Sequence, residues 1–454
     1  MQRRGTLRLA RLKELLPSLP LTSSEKEKLL NPNTVQIRLK LKKNSILELS
    51  NKKSHLITHI GLPKKIKLHQ SLTTTLDKMG VYTYGHNIGY TGQGVTIFHT
   101  EGDGIANVND SRLADTNIIN FPGGDQIVTE HATNTLSLFH ITAPGSQLII
   151  GSTDAVSTPS AACFTRTDLL ASYPIDLMTV SVGYGGSVYE YCDQVWDNYS
   201  YQNGVSMFSS SGNDASLMVT SPSKSYNGFS VGAYNNSISP YAMEPSSYIN
   251  PLTKAEKPDF VAPGSNIDGY TGWGTSYSTP IAAGVAAMRL QESAGFKGQP
   301  ALLKSFMLAT TISDIDNDGK VLSAKDGAGA VGMSPNYWNW RSWNENVPAT
   351  SYSFSEPMTA GKKYRIAISW LVSGDTMKQR VDSGILAEEL LPVDYDLSVY
   401  NGITQVALSS SSTDNKEMVE FTAPTSGNYT VIINRKAYRT TTKLYLGYTR
   451  YIVN

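Results

Sequence analysis

One serine stands out for what its neighbours would let it do. Ser276 lies in the run Gly-Thr-Ser-Tyr-Ser-Thr-Pro and is followed by IAAGVAAM. Small and apolar residues on every side of a helix imply a buried helix. Pro280 is tolerated only near a first turn, so Ser276 is expected at the helix's N-terminal end. Backbone N–H groups there have no intrahelical acceptor and point toward any anion forming beside the hydroxyl, an arrangement suited to acyl transfer. The alternative is that Ser276 caps the helix and nothing more, serine being a preferred cap residue. As a nucleophile it would also need a base to take its proton, and the chain holds seven histidines.

The segment GTSYSTPIAAG resembles the nucleophile motif of the subtilases, Gly-Thr-Ser-x-Ala-x-Pro followed by small residues, and KPDFVAPG at 257–264 resembles the segment that precedes it. The resemblance runs from about Gly89 to Met333 and implies a subtilisin-like serine peptidase. On that resemblance Ser276 is the nucleophile, and His131 in EHATNTLSLF is the general base. The acid is Glu101, at the end of the strand-like GYTGQGVTIF, where subtilases usually carry Asp; Asp103 is the alternative acid, or else a turn residue between Gly102 and Gly104. Asn213, in SSSGNDAS, would supply a side-chain N–H to the oxyanion. Ser181, Val182 and Gly183 look like the edge along which an extended peptide adds to the sheet. The chain departs from the family pattern at Ser278 (usually Ala), Ala132 (usually Gly), Glu101 and Tyr184 (often Gly). Glu101 and the altered neighbourhood of His131 keep a second class open, a catalytically silent subtilase relative that binds peptides. A lipase or esterase fits less well, because Ser276 is not in a Gly-x-Ser-x-Gly elbow.

Such groups need rigid elements to hold them. At 454 residues, 40% apolar and 17% charged, the chain has material for more than one core, and no apolar run is long enough for a membrane-spanning helix. Short apolar runs (GVTIF, QLII, DLMTVSV, GVSMFSS, GFSVGA) alternate with helix-compatible segments up to about Trp340, the pattern of a parallel α/β sheet covered by helices on both faces. Beyond it YRIAISWLV, YDLSVY, MVEFTAP, NYTVIINR and TKLYLGYT read as strands. Turn signals at Ser373-Gly374, Asn401-Gly402 and Ser426-Gly427 separate several of them, suggesting a C-terminal antiparallel β-sandwich. The expected division is therefore 1–75, a basic N-terminal extension like a pro-segment; 76–340, the peptidase domain; and 341–454, the sandwich.

Within the N-terminal region Thr34 to Leu41 alternates like a strand. Residues 1–67 carry 16 Lys+Arg against 4 Asp+Glu in a chain of net charge +1, so a basic head precedes an acidic body. The head is either a solvated extension or a segment that docks on its own catalytic domain. Cys163 and Cys192 could form one bridge in an oxidising compartment, and their spacing is not a zinc pattern. No cofactor is expected to be required. Calcium is a candidate structural ion, at Asp314, Asp316 and Asp318, which open like a calcium loop but have Lys325 at its twelfth position, or at Asp394 and Asp396; solvated or turn acids are the alternative for both sets. The expected partner is a protein or peptide substrate, with no nucleic acid. The resemblance implies secretion, while the absence of a visible signal peptide leaves a cytoplasmic location as the alternative.

Overall fold

The computed structural model describes residues 73–453 except 115, 117, 122–126, 152–162, 238–242, 312–314, 317 and 336. By its contacts the chain divides into two units, Met1–Lys67 and Leu68–Asn454. The basic head, its expected strand at Thr34 to Leu41, and Asp314 lie outside the described residues.

Seven parallel strands form the first sheet: β1 (Thr96–His99), β2 (Ile118–Asn120), β3 (Gln147–Ile150), β4 (Leu177–Val180), β5 (Ser206–Ser210), β6 (Phe229–Asn235) and β7 (Phe260–Ser265), in the order β2-β3-β1-β4-β5-β6-β7. Most are short apolar runs because both faces are covered; every residue of β4, β5 and β7 is buried. Helix α1 (Glu130–Thr142) connects β2 to β3, α2 (Tyr191–Asn203) connects β4 to β5, and α3 (Thr275–Glu292) with α4 (Pro300–Ala309) follows β7. The strand order reverses direction around β1, the place where open parallel sheets gather ligands beyond their carboxyl ends.

Helix α3 is the buried helix that its composition implies, enclosed from Ser278 to Leu290. Pro280 sits in its second turn rather than its first, so the Ser276 carbonyl has no i+4 N–H to accept from. The Cys163–Cys192 bridge is formed, with 5.0 Å between the Cα atoms.

Two four-stranded antiparallel sheets complete the molecule. One is ordered β13-β10-β15-β8 and the other β12-β11-β14-β9, built from β8 (Trp338–Glu345), β9 (Ser351–Met358), β10 (Lys363–Trp370), β11 (Val393–Asn401), β12 (Thr404–Ser409), β13 (Lys416–Thr422), β14 (Gly427–Tyr438) and β15 (Leu444–Val453). The turn expected at Asn401-Gly402 closes the β11–β12 hairpin. Ser373-Gly374, also read as a turn, instead starts the helix Gly374–Asp382, with the Ser373 hydroxyl accepting from the Thr376 N–H as its N-cap. The sandwich is seated on α4. Phe306 meets Trp338 edge-on at 5.3 Å, Ser305 and Thr449 hydroxyls are 3.1 Å apart, and a Cβ at Gly447 would fall 2.3 Å from the Leu302 Cα.

Candidate active site

Beyond the end of β1 the chain turns sharply at Glu101–Gly104, which form an isolated bridge. The turn is stitched to the approach to α1 by Ile105 N–H to the Ile127 carbonyl (2.8 Å) and Thr129 N–H to the Ile105 carbonyl (3.1 Å). Gly104, at φ 143°, is needed there: a Cβ would lie 2.2 Å from the Ile127 carbonyl oxygen. The turn carries the two candidate acids, and α1 carries the candidate base one residue inside its start. Thr129 caps that start, accepting from the Ala132 N–H at 3.1 Å. Sheet and helix are thus joined where acid and base must meet.

They do meet. His131 Nδ1 lies 3.8 Å from Glu101 Oε2 and 3.6 Å from Asp103 Oδ1. The two carboxylates differ in environment: Glu101 is fully buried, while Asp103 is 43% exposed and His131 31% exposed. Both Glu101 oxygens accept from the Ser181 N–H, each at 3.1 Å. Neither contact with His131 is a hydrogen bond at these lengths; catalytic contacts of this kind tighten in substrate complexes.

Ser276 is the second residue of α3, and its hydroxyl donates to the Ser181 carbonyl at 2.9 Å. Ser181 therefore holds the candidate acid through its N–H and the candidate nucleophile through its C=O. Ser278, one of the departures from the family motif, is buried and donates to the Ala262 carbonyl of β7 at 3.1 Å. The extra hydroxyl is thereby satisfied inside the core.

Asn213 follows β5. Its side-chain oxygen accepts from the Thr275 N–H (2.8 Å) and the Thr275 hydroxyl (2.9 Å), and its amide nitrogen lies beside Gly274, just before α3. Among the described residues the Ser276 N–H has no acceptor. Asn213 is fixed to Thr275, the residue that precedes Ser276.

Along the proposed peptide edge, Tyr184 exchanges backbone hydrogen bonds with Ser221 (3.0 and 2.9 Å). Between that edge and the Asn213 segment stands Thr220. A Cβ on Gly183 would come 2.5 Å from its hydroxyl oxygen, and a Cβ on Gly212 would come 3.1 Å from its methyl.

Two residues near the site escaped sequence reasoning. Thr220 carries no local signal at all. His99 does: two residues before Glu101 on an extended strand, it shares that residue's face. Its Nε2 is 2.9 Å from the Thr135 hydroxyl and 3.4 Å from Glu101 Oε1.

The acidic pairs considered for calcium are not part of this site. Asp318 N–H donates to Asp316 at 3.2 Å and Lys320 approaches Asp318 at 3.4 Å. Asp394 and Asp396 lie on β11, where burial raises the Asp394 carboxyl to about 6 and Lys436 pairs with Asp396 at 3.6 Å. Asp394 is therefore a buried strand residue, not a solvated one. Among the described residues no cluster of three or more His, Cys, Asp or Glu is arranged to hold a metal ion, and no helix is long and apolar enough to cross a membrane.

A parallel sheet with a buried helix leading from a Gly-Thr-Ser turn defines a subtilisin-like fold. Residues 128–331 match the model of the Subtilase family. Among solved structures it is similar to the prenylagaramide maturation protease PagA, at 20% identity over 57% of this chain and 95% of that one, with a TM-score of 0.43. It is similar to the PatG macrocyclase in complex with peptide at 17% identity, 57% and 94% coverage and a TM-score of 0.44. A cold-adapted subtilisin-like serine proteinase gives 22%, 55%, 92% and 0.42 respectively. No curated protein matches the chain.

Proposed function

We propose that the chain is a serine endopeptidase that hydrolyses peptide bonds with Ser276 as nucleophile, His131 as general base and Glu101 as the acid that orients it. The observation that carries this reading is the double role of Ser181, whose N–H holds Glu101 and whose carbonyl holds the Ser276 hydroxyl, so that acid and nucleophile are fixed to one peptide unit. On substrate binding the Ser276 hydroxyl turns from that carbonyl to His131 Nε2, and the proton passes to the imidazole as Oγ attacks. His131 then delivers it to the leaving amine, and Glu101 stabilises the imidazolium. The developing oxyanion is received by the Asn213 amide and the Ser276 N–H. Asp103 adds a solvent-screened negative charge on the same imidazole nitrogen.

The substrate strand adds along Ser181, Val182 and Gly183. With Thr220 set against both Gly183 and Gly212, the residue supplying the attacked carbonyl is expected to carry a small side chain. Residues 1–75 act as a pro-segment docked on the catalytic domain, a reading supported by their excess of basic residues. Equal shortening of the wild type and Ser276→Ala over time would exclude self-processing.

A second reading, a peptide-binding relative without activity, is favoured by one feature: the Ser276 hydroxyl donates to a backbone carbonyl instead of to His131. A fluorophosphonate probe separates the two, because only an activated hydroxyl is phosphonylated. Labelling of the wild type at Ser276, absent in Ser276→Ala, supports the peptidase; no labelling of folded wild type supports the binding protein.

A further inference from the structure

His99 and Glu101 project from the same face of the chain at the end of β1, and both are almost wholly excluded from solvent, at 2% and 0% exposure. A buried carboxylate needs compensation on all sides. Ser181 supplies one N–H. His131 and Asp103 lie on the solvent side. What faces the inner side of the carboxylate is the His99 ring, with Nε2 at 3.4 Å from Oε1.

The protonation of that ring nitrogen follows from its other neighbour. The Thr135 hydroxyl has one proton, directed to the carbonyls of His131 and Ala132, each at 3.1 Å. Toward His99 it can only accept, so the hydrogen-bond network assigns the proton to His99 Nε2. That N–H is directed at Thr135, and the nitrogen that carries it lies 3.4 Å from Glu101 Oε1. Thr135 is one turn beyond His131 on α1, so the same imidazole touches the helix that carries the base and the carboxylate that must meet it.

We propose that His99 is a positioning residue, a second imidazole on Glu101 that fixes the carboxylate against His131 by spanning from Thr135 on α1. Glu has one more rotatable bond than Asp, and a freely turning carboxylate would spend part of its time away from His131. His99 removes that freedom from the inner side, as Ser181 does from the sheet side. The proposal rests on the assignment of Glu101, His131 and Ser276 made above.

The test uses the full chain and three variants. His99→Phe keeps a ring but has no donor; His99→Gln places an amide N–H near the position of Nε2. His99→Phe is expected to lower kcat about twofold to tenfold, the range for one lost neutral hydrogen bond, with KM little changed, and His99→Gln to recover most of the loss. Thr135→Val, which removes the acceptor that orients His99, is expected to lower kcat about fivefold and serves if His99→Phe does not fold. A readout independent of activity is hydrogen exchange at the Ser181 amide, which donates to Glu101. It should speed up in His99→Phe and return toward wild type in His99→Gln. Folded His99→Phe with wild-type kcat and Ser181 exchange would overturn the proposal, as would His99→Gln as impaired as His99→Phe. A wild type that neither labels nor cleaves refutes the peptidase reading alone, and the Ser181 exchange still decides whether His99 holds Glu101.

Discussion

Two buried carboxylates stand at opposite ends of the seven-stranded sheet, and they are held in opposite ways. Asp259, just before β7, is surrounded by three lysines that are themselves buried: Lys257 at 2.9 Å, Lys304 at 3.1 Å and Lys416 at 3.4 Å. Lys304 comes from α4 and Lys416 from β13, so this carboxylate joins sheet, helix and sandwich. Burial pushes the Asp259 carboxyl up, but the three ammonium groups and the Ser230 N–H outweigh it and leave it well below the usual range. Glu101, just past β1, meets two imidazoles at 3.4 and 3.8 Å and one amide. Short contacts to ammonium groups make Asp259 a fixed joint. Longer contacts, to two imidazoles and an amide, hold Glu101 by position and not by permanent opposite charge.

The comparison breaks most easily at the Glu101 end. Glu101→Gln keeps the shape and removes the charge. It should lower kcat by about 10^4, the order found when a triad acid loses its charge, while urea unfolding shows a much smaller change than at Asp259. An activity within tenfold of wild type would transfer the role to Asp103. At the other end, Asp259→Ala leaves three ammonium groups around an empty site, and breaking such a cluster costs about 3–5 kcal/mol, read from the urea midpoint. Loss of activity there should follow loss of the fold; a stable Asp259→Ala protein would show that the junction is not a structural joint. A smaller effect is expected at the peptide edge. Thr220→Gly removes the side chain set against Gly183 and Gly212, and kcat/KM for a peptide with Leu at the acyl side should rise by about 10- to 100-fold relative to one with Ala, the value of one or two buried methylenes. An unchanged ratio would place that side chain elsewhere.

How much of this was legible beforehand follows from how local each feature is. The apolar runs GVTIF, QLII, DLMTVSV, GVSMFSS and GFSVGA became β1, β3, β4, β5 and β6, because burial on both faces writes itself into consecutive residues. Strand β7 did not read as a strand, since it contains Pro263 and Gly264; it is the edge of its sheet, where a missing N–H is tolerated. The same holds for β9 with Pro357, at the edge of its own sheet. Ser276, His131, Glu101 and Asn213 are candidates drawn from resemblance to motifs. The contacts that define their surroundings come from residues distant in sequence: Thr220 against Gly183, Thr135 against His99, Ser181 against both Glu101 and Ser276. No spacing rule reports a meeting across 36 or 95 positions. The lysines around Asp259 were invisible for the same reason, since Lys304 and Lys416 join it only once the sandwich is seated.

The smallest effect probes whether all three of those lysines are permanent charges. Lys304 is the exception, its ammonium lowered to about 7, first by burial and then by Lys257 and Lys416, against the pull of Asp259. Unfolded, it returns to its ordinary value of 10.5. Between these two values the unfolded chain binds a proton at Lys304 that the folded chain does not, so the stability of the wild type gains a positive slope with pH from about 7 to about 10. The slope from one such group reaches at most about 1.4 kcal/mol per pH unit. Lys304→Met fills a similar volume and removes the titration, so its urea stability should climb less steeply than that of the wild type over this window. Below pH 7 the two curves should run parallel. If instead the slopes agree throughout, Lys304 remains charged in the fold, and Asp259 is held by three permanent cations after all.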